Sequence, residues 1–287
     1  MRPIKSLRHT IYGIALLFAV CSAALQAAPT AQPETSLTLG FFPIVSTVTL
    51  FKRFTPLADY LSAQLGVPIR LVTAKNFPTF VKRTAERAYD IVVTAPHFAV
   101  RAADSGQYTI RATTVNEVQQ LIVVRKNSPL QNLEQLAGAT IATPPGRALM
   151  TMMGKDFLAQ AGLSGPRQPR YRAFTSHNAA NQALLAGEVD AAIASSNVVS
   201  KAVQRGKPLR ILAKGRKLPS MATLVASDLP AALADRVEQA FVGMANTEHG
   251  RQVLRQIGFP GYRAVSIADY EPVRAYAYRG QAKAAPQ

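Results

Sequence analysis

The 287-residue sequence contains no tryptophan and a single cysteine, Cys21. Because Cys21 lies inside an apolar run near the N-terminus, a mature chain that has lost this run has no disulfide and no thiolate nucleophile. There is no zinc-finger spacing, no RNA-binding aromatic motif and no basic run of five residues, so we expect no nucleic-acid partner. Two histidines, His97 and His177, lie at predicted strand-to-helix junctions, but neither has an H-x-x-x-H or cysteine partner nearby. We therefore expect neither a metal site nor a cofactor.

Acidic residues are also scarce, since 16 Asp and Glu stand against 33 Lys and Arg, which gives a formal net charge of +17. Arg2, Lys5 and Arg8 account for three of these charges, which leaves +14 when they are removed. Such a charge favours anionic partners, whether small ligands, lipid head groups or nucleic acid. The basic residues are scattered along the sequence, and a solvated basic surface explains most of them equally well.

The N-terminus has the three parts of a secretory signal. Its basic head is followed by the apolar run "IYGIALLFAVCSAAL" and the small-residue stretch "QAAPT". This order predicts a signal peptide over residues 1–28, cleaved after Ala27 or Ala28. The apolar run is shorter than the ~20 residues of a membrane span, although an uncleaved anchor remains the alternative. Val20, before Cys21, does not suit a lipid-anchored precursor. No second run of spanning length follows, so we expect an exported, soluble protein.

The remaining residues alternate between strand and helix patterns. "SLTLGFF", "YDIVVTA", "ATIATP" and "VDAAIASS" are short apolar segments, and each precedes an amphipathic one. Two such series of similar size predict an α/β protein with two lobes, each a mostly parallel sheet flanked by helices. Open sheets of this kind bind ligands at the carboxyl ends of their strands. We therefore expect a ligand cleft where the two lobes face each other.

Five segments, in order, carry a family resemblance. They are "PIVSTVTLFKRFTPLADYLSAQLG", "YDIVVTAPHFAVRAA", "LIVVRKNSPLQNLEQLAGATIAT", "TSHNAANQALLAGEVDAAIAS" and "GFPGYRAVSIADYEPVR". Together they resemble the phosphate/phosphite/phosphonate-binding periplasmic proteins of ABC transporters over roughly residues 36 to 275. The resemblance implies a type II periplasmic binding protein fold and a periplasmic location. It also implies a monomer that binds a small ligand and delivers it to a membrane ABC permease, without enzymatic activity.

The resemblance further implies how the chain divides between the lobes. Residues 36–118 and 222–287 would form lobe 1, and residues 119–221 would form lobe 2. The chain would cross between lobes near Gln119–Val123 and near Met221–Ala226. The ligand would be closed between the two.

Several strand-to-helix junctions carry candidate ligand residues in the first half of the chain. Ser46 and Thr47 precede a long helix and can cap it, contact the ligand, or do both, while Phe42 can form an apolar wall or belong to the core. His97 follows a proline at a second junction and can donate to an anion, more strongly when protonated near its usual pKa of about 6.5. Its alternative role is packing against Phe98. Family members often have a tyrosine here, and the resemblance therefore places both residues at the ligand.

The second half contributes candidates at three junctions. In "ATPPGRAL" only Thr143 keeps a hydroxyl, two prolines lack N–H groups, and Gly146 and Arg147 follow. Helix N-termini bind anions, and the Arg147 guanidinium can replace the lost donors. His177 opens a helix capped by Thr175 or Ser176, and the resemblance places it on the family's ligand histidine. The resemblance also places Ser195 and Ser196 where relatives often have an acidic residue.

Two other functions remain open at this stage. A periplasmic subunit that reports its ligand to a membrane sensor kinase would need the same fold. A periplasmic hydrolase would need a nucleophile and base, yet there is no G-x-S-x-G elbow, and the adjacent Ser176 and His177 do not suit proton transfer. We expect a binding protein for an oxyanion or phosphonate-like anion.

Overall fold

A computed structural model of the chain describes residues 36–279. Its strands are β1 Leu37–Phe41, β2 Ile69–Val72, β3 Ile91–Thr94, β4 Tyr108–Thr114, β5 Glu117–Arg125, β6 Thr140–Thr143, β7 Arg170–Ala173, β8 Ala191–Ser195, β9 Leu209–Pro219, β10 Ala222–Ala226 and β11 Tyr262–Ala264. Its α-helices are α1 Thr47–Leu65, α2 Phe77–Ala85, α3 Pro96–Asp104, α4 Leu149–Gln160, α5 His177–Leu185, α6 Ser196–Gln204, α7 Ala231–Val242, α8 Glu248–Ile257 and α9 Arg274–Ala277. Short 3₁₀ turns lie at Glu134–Leu136, Gly165–Arg167, Gly243–Asn246 and Ile267–Val273. The predicted signal peptide lies outside the described residues.

The strands form two sheets. The first has the order β11-β4-β10-β3-β1-β2 and the second the order β7-β6-β8-β5-β9. Helices flank both sheets, as the alternating pattern predicts. The fold is mixed α/β, and the expectation of two α/β halves is confirmed.

The expectation of mostly parallel sheets is wrong in detail. Within residues 36–279, four strand pairings are parallel and five are antiparallel. Parallel pairing is confined to β1, β2 and β3 in the first sheet and to β6, β7 and β8 in the second. The strand directions follow from the connections between strands. A strand that pairs parallel with its neighbour needs a long crossover connection. β5 and β10 instead enter their sheets directly from the other sheet. Such strands enter at the carboxyl edge and run back against β8 and β3.

The chain changes sheet at residues 115–116 and again at residues 220–221. The first change precedes the crossing near Gln119–Val123 that the resemblance implies, because β5 already pairs with β9 from Glu117 onward. The second lies immediately before Ala222, the first residue of β10.

Local sequence explains where the main helices begin and end. The Ser46 hydroxyl accepts from the Thr49 N–H at the start of α1, and Asn76 caps α2 in the same way. α1 ends at Gly66, whose φ of 67° is the left-handed conformation that glycine adopts without strain. Ser176 caps α5, which settles the choice between Thr175 and Ser176.

Apolar side chains fill both faces of the first sheet. One cluster lies between this sheet and helices α1, α7 and α8, and includes Phe41, Phe54 and Phe241. The cluster on the other face includes Phe42, Phe80 and Phe98 from the first half together with Ile141 and Met153 from the second. This second cluster is continuous across the two sheets, so their helices are in apolar contact.

Candidate functional site

The parallel strands of the first sheet end at one edge. β1 and β3 run in the same direction, so Phe42 and the residues after Thr94 follow neighbouring strand ends. β10 begins at this edge, because Ala222 pairs with Thr94, and β4 ends there, because Thr113 also pairs with Ala222. The two connections between the sheets therefore leave the first sheet at its carboxyl edge.

The second sheet has the same arrangement. β6, β7 and β8 are parallel and end together at Thr143, Ala173 and Ser195. β5 begins at this edge, because Gln120 pairs with Ser195. Since residues 115–116 and 220–221 join the two carboxyl edges directly, these edges face each other. Every candidate residue from the sequence lies at one edge or the other.

His97 makes the contact between the edges. Its Nε2 lies 3.2 Å from the backbone carbonyl oxygen of Arg147. A carbonyl can only accept, so Nε2 carries the proton and the neutral ring leaves Nδ1 as an acceptor. Nδ1 is buried and has no hydrogen-bond partner within the described part of the chain. The hydrogen bond brings α3 and the "ATPPGRAL" turn together.

His97 does not keep the ordinary pKa of about 6.5, near which a protonated ring would donate more strongly to an anion. The side chain is 3% exposed. Burial, with smaller contributions from the charges of Arg101 and Arg147, lowers the pKa of His97 from 6.5 to about 4. The imidazole is therefore neutral at neutral pH.

The turn between β6 and α4 is stabilised by its own residues. The Ala148 N–H donates to the Pro145 carbonyl at 2.8 Å, and the Thr151 hydroxyl donates to the Pro144 carbonyl at 3.1 Å. Ala148 is the N-cap and makes no side-chain capping bond, so Gly146 and Arg147 precede α4 instead of lying in its first turn. Gly146 and Arg147 are exposed and Thr143 is buried. The Thr151 N–H donates to the Ala148 carbonyl at 3.0 Å, so in the first turn of α4 the N–H groups of Leu149 and Met150 are the ones available to an anion.

His177 is the first residue of α5, at the end of the neighbouring strand β7. Its Nδ1 is buried and has no hydrogen-bond partner among residues 36–279, and burial lowers its pKa from 6.5 to about 4. Asn181, one helical turn further on, is 4% exposed, and both polar atoms of its amide lack a partner in the same residue range. Residues i and i+4 share a helix face. The buried Nδ1 of His177 and the amide of Asn181 thus place unused hydrogen-bonding capacity on one face of α5.

The aromatic candidates have a clear packing role. Phe42 is buried, and its ring centroid lies 4.4 Å from that of Phe77, 5.5 Å from Phe80 and 5.4 Å from Phe98. The His97 ring lies 3.9 Å from the Phe98 ring. These aromatic rings pack against the first turn of α3. That Phe42 and Phe98 also form a wall of the ligand site stays a prediction.

The hydroxyl candidates differ in how they are engaged. Ser46 and Thr47 are exposed, and the Ser46 hydroxyl lies 2.8 Å from the Thr49 hydroxyl as well as capping α1. The Ser196 hydroxyl accepts from the Gln119 N–H at 3.1 Å, which ties α6 to β5. Ser195 is buried beside Gln120, whose Nε2 has no partner within the described residues. Ligand contact by any of these hydroxyls stays a prediction.

Four further polar residues at or within one helical turn of the two carboxyl edges were missed in the sequence: Thr94, Arg101, Gln120 and Asn181. Arg101 and Asn181 lie four residues after His97 and His177, so helical spacing from each histidine could have indicated them. Thr94 and Gln120 are strand residues. Only the burial of their unsatisfied polar atoms identifies them.

Within 36–279, no group of three or more His, Cys, Asp or Glu side chains could hold a metal ion. No helix in that range has the length and apolar content needed to cross a bilayer.

Comparison with known proteins identifies the family. The model of a family described as "ABC transporter, phosphonate, periplasmic substrate-binding protein" matches residues 39–270. The chain belongs to this family. The resemblance drawn from the five sequence segments is thereby confirmed, and so is the choice of a substrate-binding protein over an enzyme. Members bind small phosphonate ligands in the periplasm and work with an ABC permease.

Individual relatives are distant in sequence. The chain is 22% identical over 280 residues to the phosphonates-binding periplasmic protein of Escherichia coli strain K12, with 89% of this chain and 80% of that protein covered. The structure of PhnD1 from Prochlorococcus marinus in complex with methylphosphonate has a TM-score of 0.72, 18% identity, and coverage of 85% and 97%. A binding protein component of an ABC phosphonate transporter from Pseudomonas aeruginosa has a TM-score of 0.71, 17% identity, and coverage of 84% and 85%. At this identity the two structures confirm the type II periplasmic binding protein fold.

Proposed function

We propose that this protein captures a small phosphonate-like anion between the carboxyl edges of its two sheets and delivers it to the permease of an ABC importer. The observation that carries the proposal is the hydrogen bond between His97 and the Arg147 carbonyl. It brings a buried imidazole from one edge and a cationic turn from the other to one place. A ligand bound there would contact both halves of the molecule.

The charges around the contact between His97 and Arg147 favour an anionic ligand. None of the ion pairs formed within residues 36–279 includes Arg147. The nearby N-terminus of α4 adds the positive end of a helix dipole. A guanidinium with this placement suits the planar or tetrahedral oxygens of a carboxylate or phosphonate. The net positive charge of the chain would attract such ligands from solution.

The lobes in this proposal are those implied by the sequence, 36–118 with 222–287, and 119–221. Closure would occur about the two short connections between the sheets. Residues 1–28 would direct export to the periplasm. The protein would act as a monomer, and light scattering of the mature protein in solution tests this last point.

The ligand can be tested by thermal melting of the mature protein with methylphosphonate, ethylphosphonate, phosphite, phosphate, sulfate and a set of amino acids. A ligand at 100 times its Kd adds about 2.7 kcal/mol to the free energy of unfolding. We expect at least one phosphorus oxyanion to raise Tm by roughly 5–10 °C. A shift caused only by neutral or cationic compounds would contradict the proposal.

A matched pair of variants then tests the site. Arg147→Gln should weaken the binding of that anion by about tenfold or more, because it removes a charge-assisted contact. Arg167→Gln removes the same charge from an exposed position in the 3₁₀ turn Gly165–Arg167, and should leave affinity unchanged. Equal affinities for both variants would exclude Arg147 from the ligand site.

A further inference from the structure

The hydrogen bond between His97 and Arg147 leaves an acceptor on the other nitrogen of the imidazole. Nε2 lies 3.2 Å from the Arg147 carbonyl oxygen, so the ring proton is on Nε2. In the neutral ring Nδ1 then has a lone pair and no hydrogen. The contact between the two carboxyl edges, which the proposed function assigns to an anion, thus contains a side-chain atom that can only accept a hydrogen bond.

The surroundings of His97 keep the ring neutral. The side chain is 3% exposed, and burial is the main reason why its pKa falls to about 4. The charges that act on the ring are those of Arg101 on α3 and Arg147 before α4, and both oppose a second proton on the imidazole. None of the ion pairs formed within residues 36–279 includes His97.

The carboxylates on and around α3 are paired with other residues. Asp104, about two helical turns after His97, accepts from Arg274. The 3₁₀ turn after β11 packs against α3, and its Asp269 and Glu271 form ion pairs with Arg263 and Arg274. The other elements that pack against α3, which are α2, β4, β10 and α9, contain no acidic residue. No carboxylate of these elements therefore holds a proton on His97.

Nδ1 of His97 has no donor within the described part of the chain. It is buried and makes no hydrogen bond to any of residues 36–279. The hydroxyl of Thr94, three residues earlier, is also buried without a partner in that range, so it does not donate to the ring. A buried acceptor without a donor costs free energy. A ligand that brings its own donor to this place would remove that cost.

Donors for the other oxygens of a ligand lie close along the chain to the same contact. Leu149 and Met150 follow Arg147 by two and three residues, and their N–H groups have no acceptor in the first turn of α4. These N–H groups and the positive end of the helix dipole suit oxygens that carry negative charge. The contact between the edges is thus bordered by donors on one side and by an acceptor on the other.

We propose that Nδ1 of His97 is a specificity-determining acceptor, which binds the P–OH group of a singly protonated phosphonate. This inference rests on the proposed anion-binding function and adds that the bound form is the monoanion. The two unprotonated oxygens of a phosphonate monoanion can accept from N–H groups while its hydroxyl donates to the ring. A phosphonate dianion or a sulfonate has no such hydroxyl and would place a lone pair against the lone pair of Nδ1.

The first test separates the hydroxyl group of the ligand from its charge. At about pH 5, methylphosphonate and methanesulfonate each carry about one negative charge, because the second ionisation of such phosphorus oxyacids lies near pH 6 or above. The two ligands have similar shapes, but only the phosphonate has a hydroxyl. In calorimetric titrations of the mature protein at this pH, methylphosphonate should bind about tenfold or more tightly, since the sulfonate leaves Nδ1 unpaired.

The second test follows the proton. Above the second pKa of the ligand, binding should take up about one proton per ligand and affinity should fall about tenfold per pH unit. Calorimetry in buffers of different ionisation enthalpy measures the uptake. Chloromethylphosphonate, whose chlorine lowers this pKa, should show both changes at correspondingly lower pH. Uptake over the same pH range for both ligands would overturn the inference, because the protein would then be the group that gains the proton.

A matched pair of variants assigns the effect to His97. His97→Phe keeps an aromatic ring beside Phe98 and removes the acceptor, so the phosphonate preference should fall to about threefold or less and the proton uptake should be lost. His249→Phe changes an exposed histidine of α8 and should keep both. A His97→Phe protein with the wild-type preference would overturn the inference. If His97→Phe does not fold, the two wild-type tests still decide the question.

The remaining outcomes distinguish this inference from the proposed function. Equal affinity of the wild type for methylphosphonate and methanesulfonate at the lower pH would overturn the inference alone. So would a methylphosphonate affinity that stays constant or rises as the ligand loses its second proton. In both cases the anion-binding function stands. If the wild type binds no phosphorus oxyanion at any pH, both proposals are wrong.

Discussion

At the scale of single residues, the chemistry of this site depends on burying groups that prefer water. His97 is enclosed by Phe98, the Arg147 carbonyl and two nearby arginine charges, and each of these except the carbonyl favours the neutral ring. In the unfolded chain the same ring titrates near its ordinary pKa of 6.5. Folding therefore excludes a proton that the unfolded chain would bind.

This difference predicts how stability depends on pH. Between pH 6.5 and about 4 the unfolded chain binds more protons at His97, so the free energy of unfolding falls as pH is lowered through this range. The loss attributable to His97 is roughly 3 kcal/mol when complete, and none of it is present above pH 6.5. We expect chemical denaturation of His97→Gln to show a weaker pH dependence than the wild type.

Glutamine is the informative substitution here because its amide can still donate to the Arg147 carbonyl. Carboxylates titrate in the same range, so the quantity to compare is the difference between the two proteins. Identical pH profiles would show that His97 is not held neutral by folding.

A second prediction at this scale concerns His177. Its unsatisfied Nδ1 and the amide of Asn181 can hydrogen-bond to a bound ligand, and hydrogen bonds to a charged group contribute about 1.5–3 kcal/mol. His177→Ala should weaken methylphosphonate binding by about 10- to 100-fold, measured by calorimetry. His249→Ala is the control, because His249 is exposed on α8 and should bind as the wild type does. Unchanged affinity in His177→Ala would remove this residue from the site.

At the scale of elements, the close approach of two backbone segments determines where a glycine can be replaced. Gly250 lies in the first turn of α8, where an added Cβ would be 2.0 Å from the Met244 carbonyl oxygen. Such a contact requires backbone movement, since the nearby atom is main chain. Met244 belongs to the 3₁₀ turn Gly243–Asn246, so this approach fixes α8 against the end of α7.

Gly→Ala substitutions at Gly243 and Gly250, seven positions apart, should therefore have opposite effects. Gly250→Ala should destabilise the protein by about 1–3 kcal/mol through overpacking. Gly243 has a helical φ of −76° and open space around a built Cβ, so Gly243→Ala should be neutral or stabilise by up to about 1 kcal/mol. Thermal and urea denaturation measure both. A Gly250→Ala protein as stable as the wild type would show that α8 can move away without cost.

At the scale of the whole molecule, the C-terminal segment joins the two halves. Its 3₁₀ turn and α9 contact α3, and the same turn contacts β9 of the second sheet. Arg274 and Tyr278 bond to Asp104 on α3, while Arg279 Nη1 lies 2.7 Å from Asp156 Oδ1 on α4. One short segment thus bridges helices from both sides of the contact between the sheets.

This bridge predicts a small effect on ligand binding. Arg279→Gln removes the ion pair to α4, and partly exposed pairs contribute about 0.2–1 kcal/mol. If closure uses this contact, affinity for methylphosphonate should fall about 1.5- to 5-fold at low salt, with a smaller difference at high salt. Lys82→Gln, which removes the exposed pair between α2 and its C-cap residue Glu86, should not change affinity. An unchanged or increased affinity for Arg279→Gln would contradict a role of the bridge in closure.

The sequence predicted individual elements better than their arrangement. Apolar periodicity, Gly66 and the capping residue Ser176 are local signals, and the corresponding helices lie where the pattern placed them. The short strand β11 and the bridge after it contain no comparable periodicity, and both are formed by long-range contacts. Strand direction was mispredicted for the same reason, since it depends on which sheet a strand enters from.

The candidate site shows the same division. Sequence alone determined the compositional limits, the alternation of strands and helices, and the junctions at which His97, Arg147 and His177 occur, because these follow from residue type and local spacing. Tertiary structure decided that the His97 ring reaches the Arg147 carbonyl, that both histidines are neutral, and that polar atoms of Thr94 and Asn181 are buried without partners among the described residues. Burial and electrostatics depend on residues far apart in the chain. In "ATPPGRAL" the prolines define a local turn, but only the fold brings a histidine from the other sheet against it.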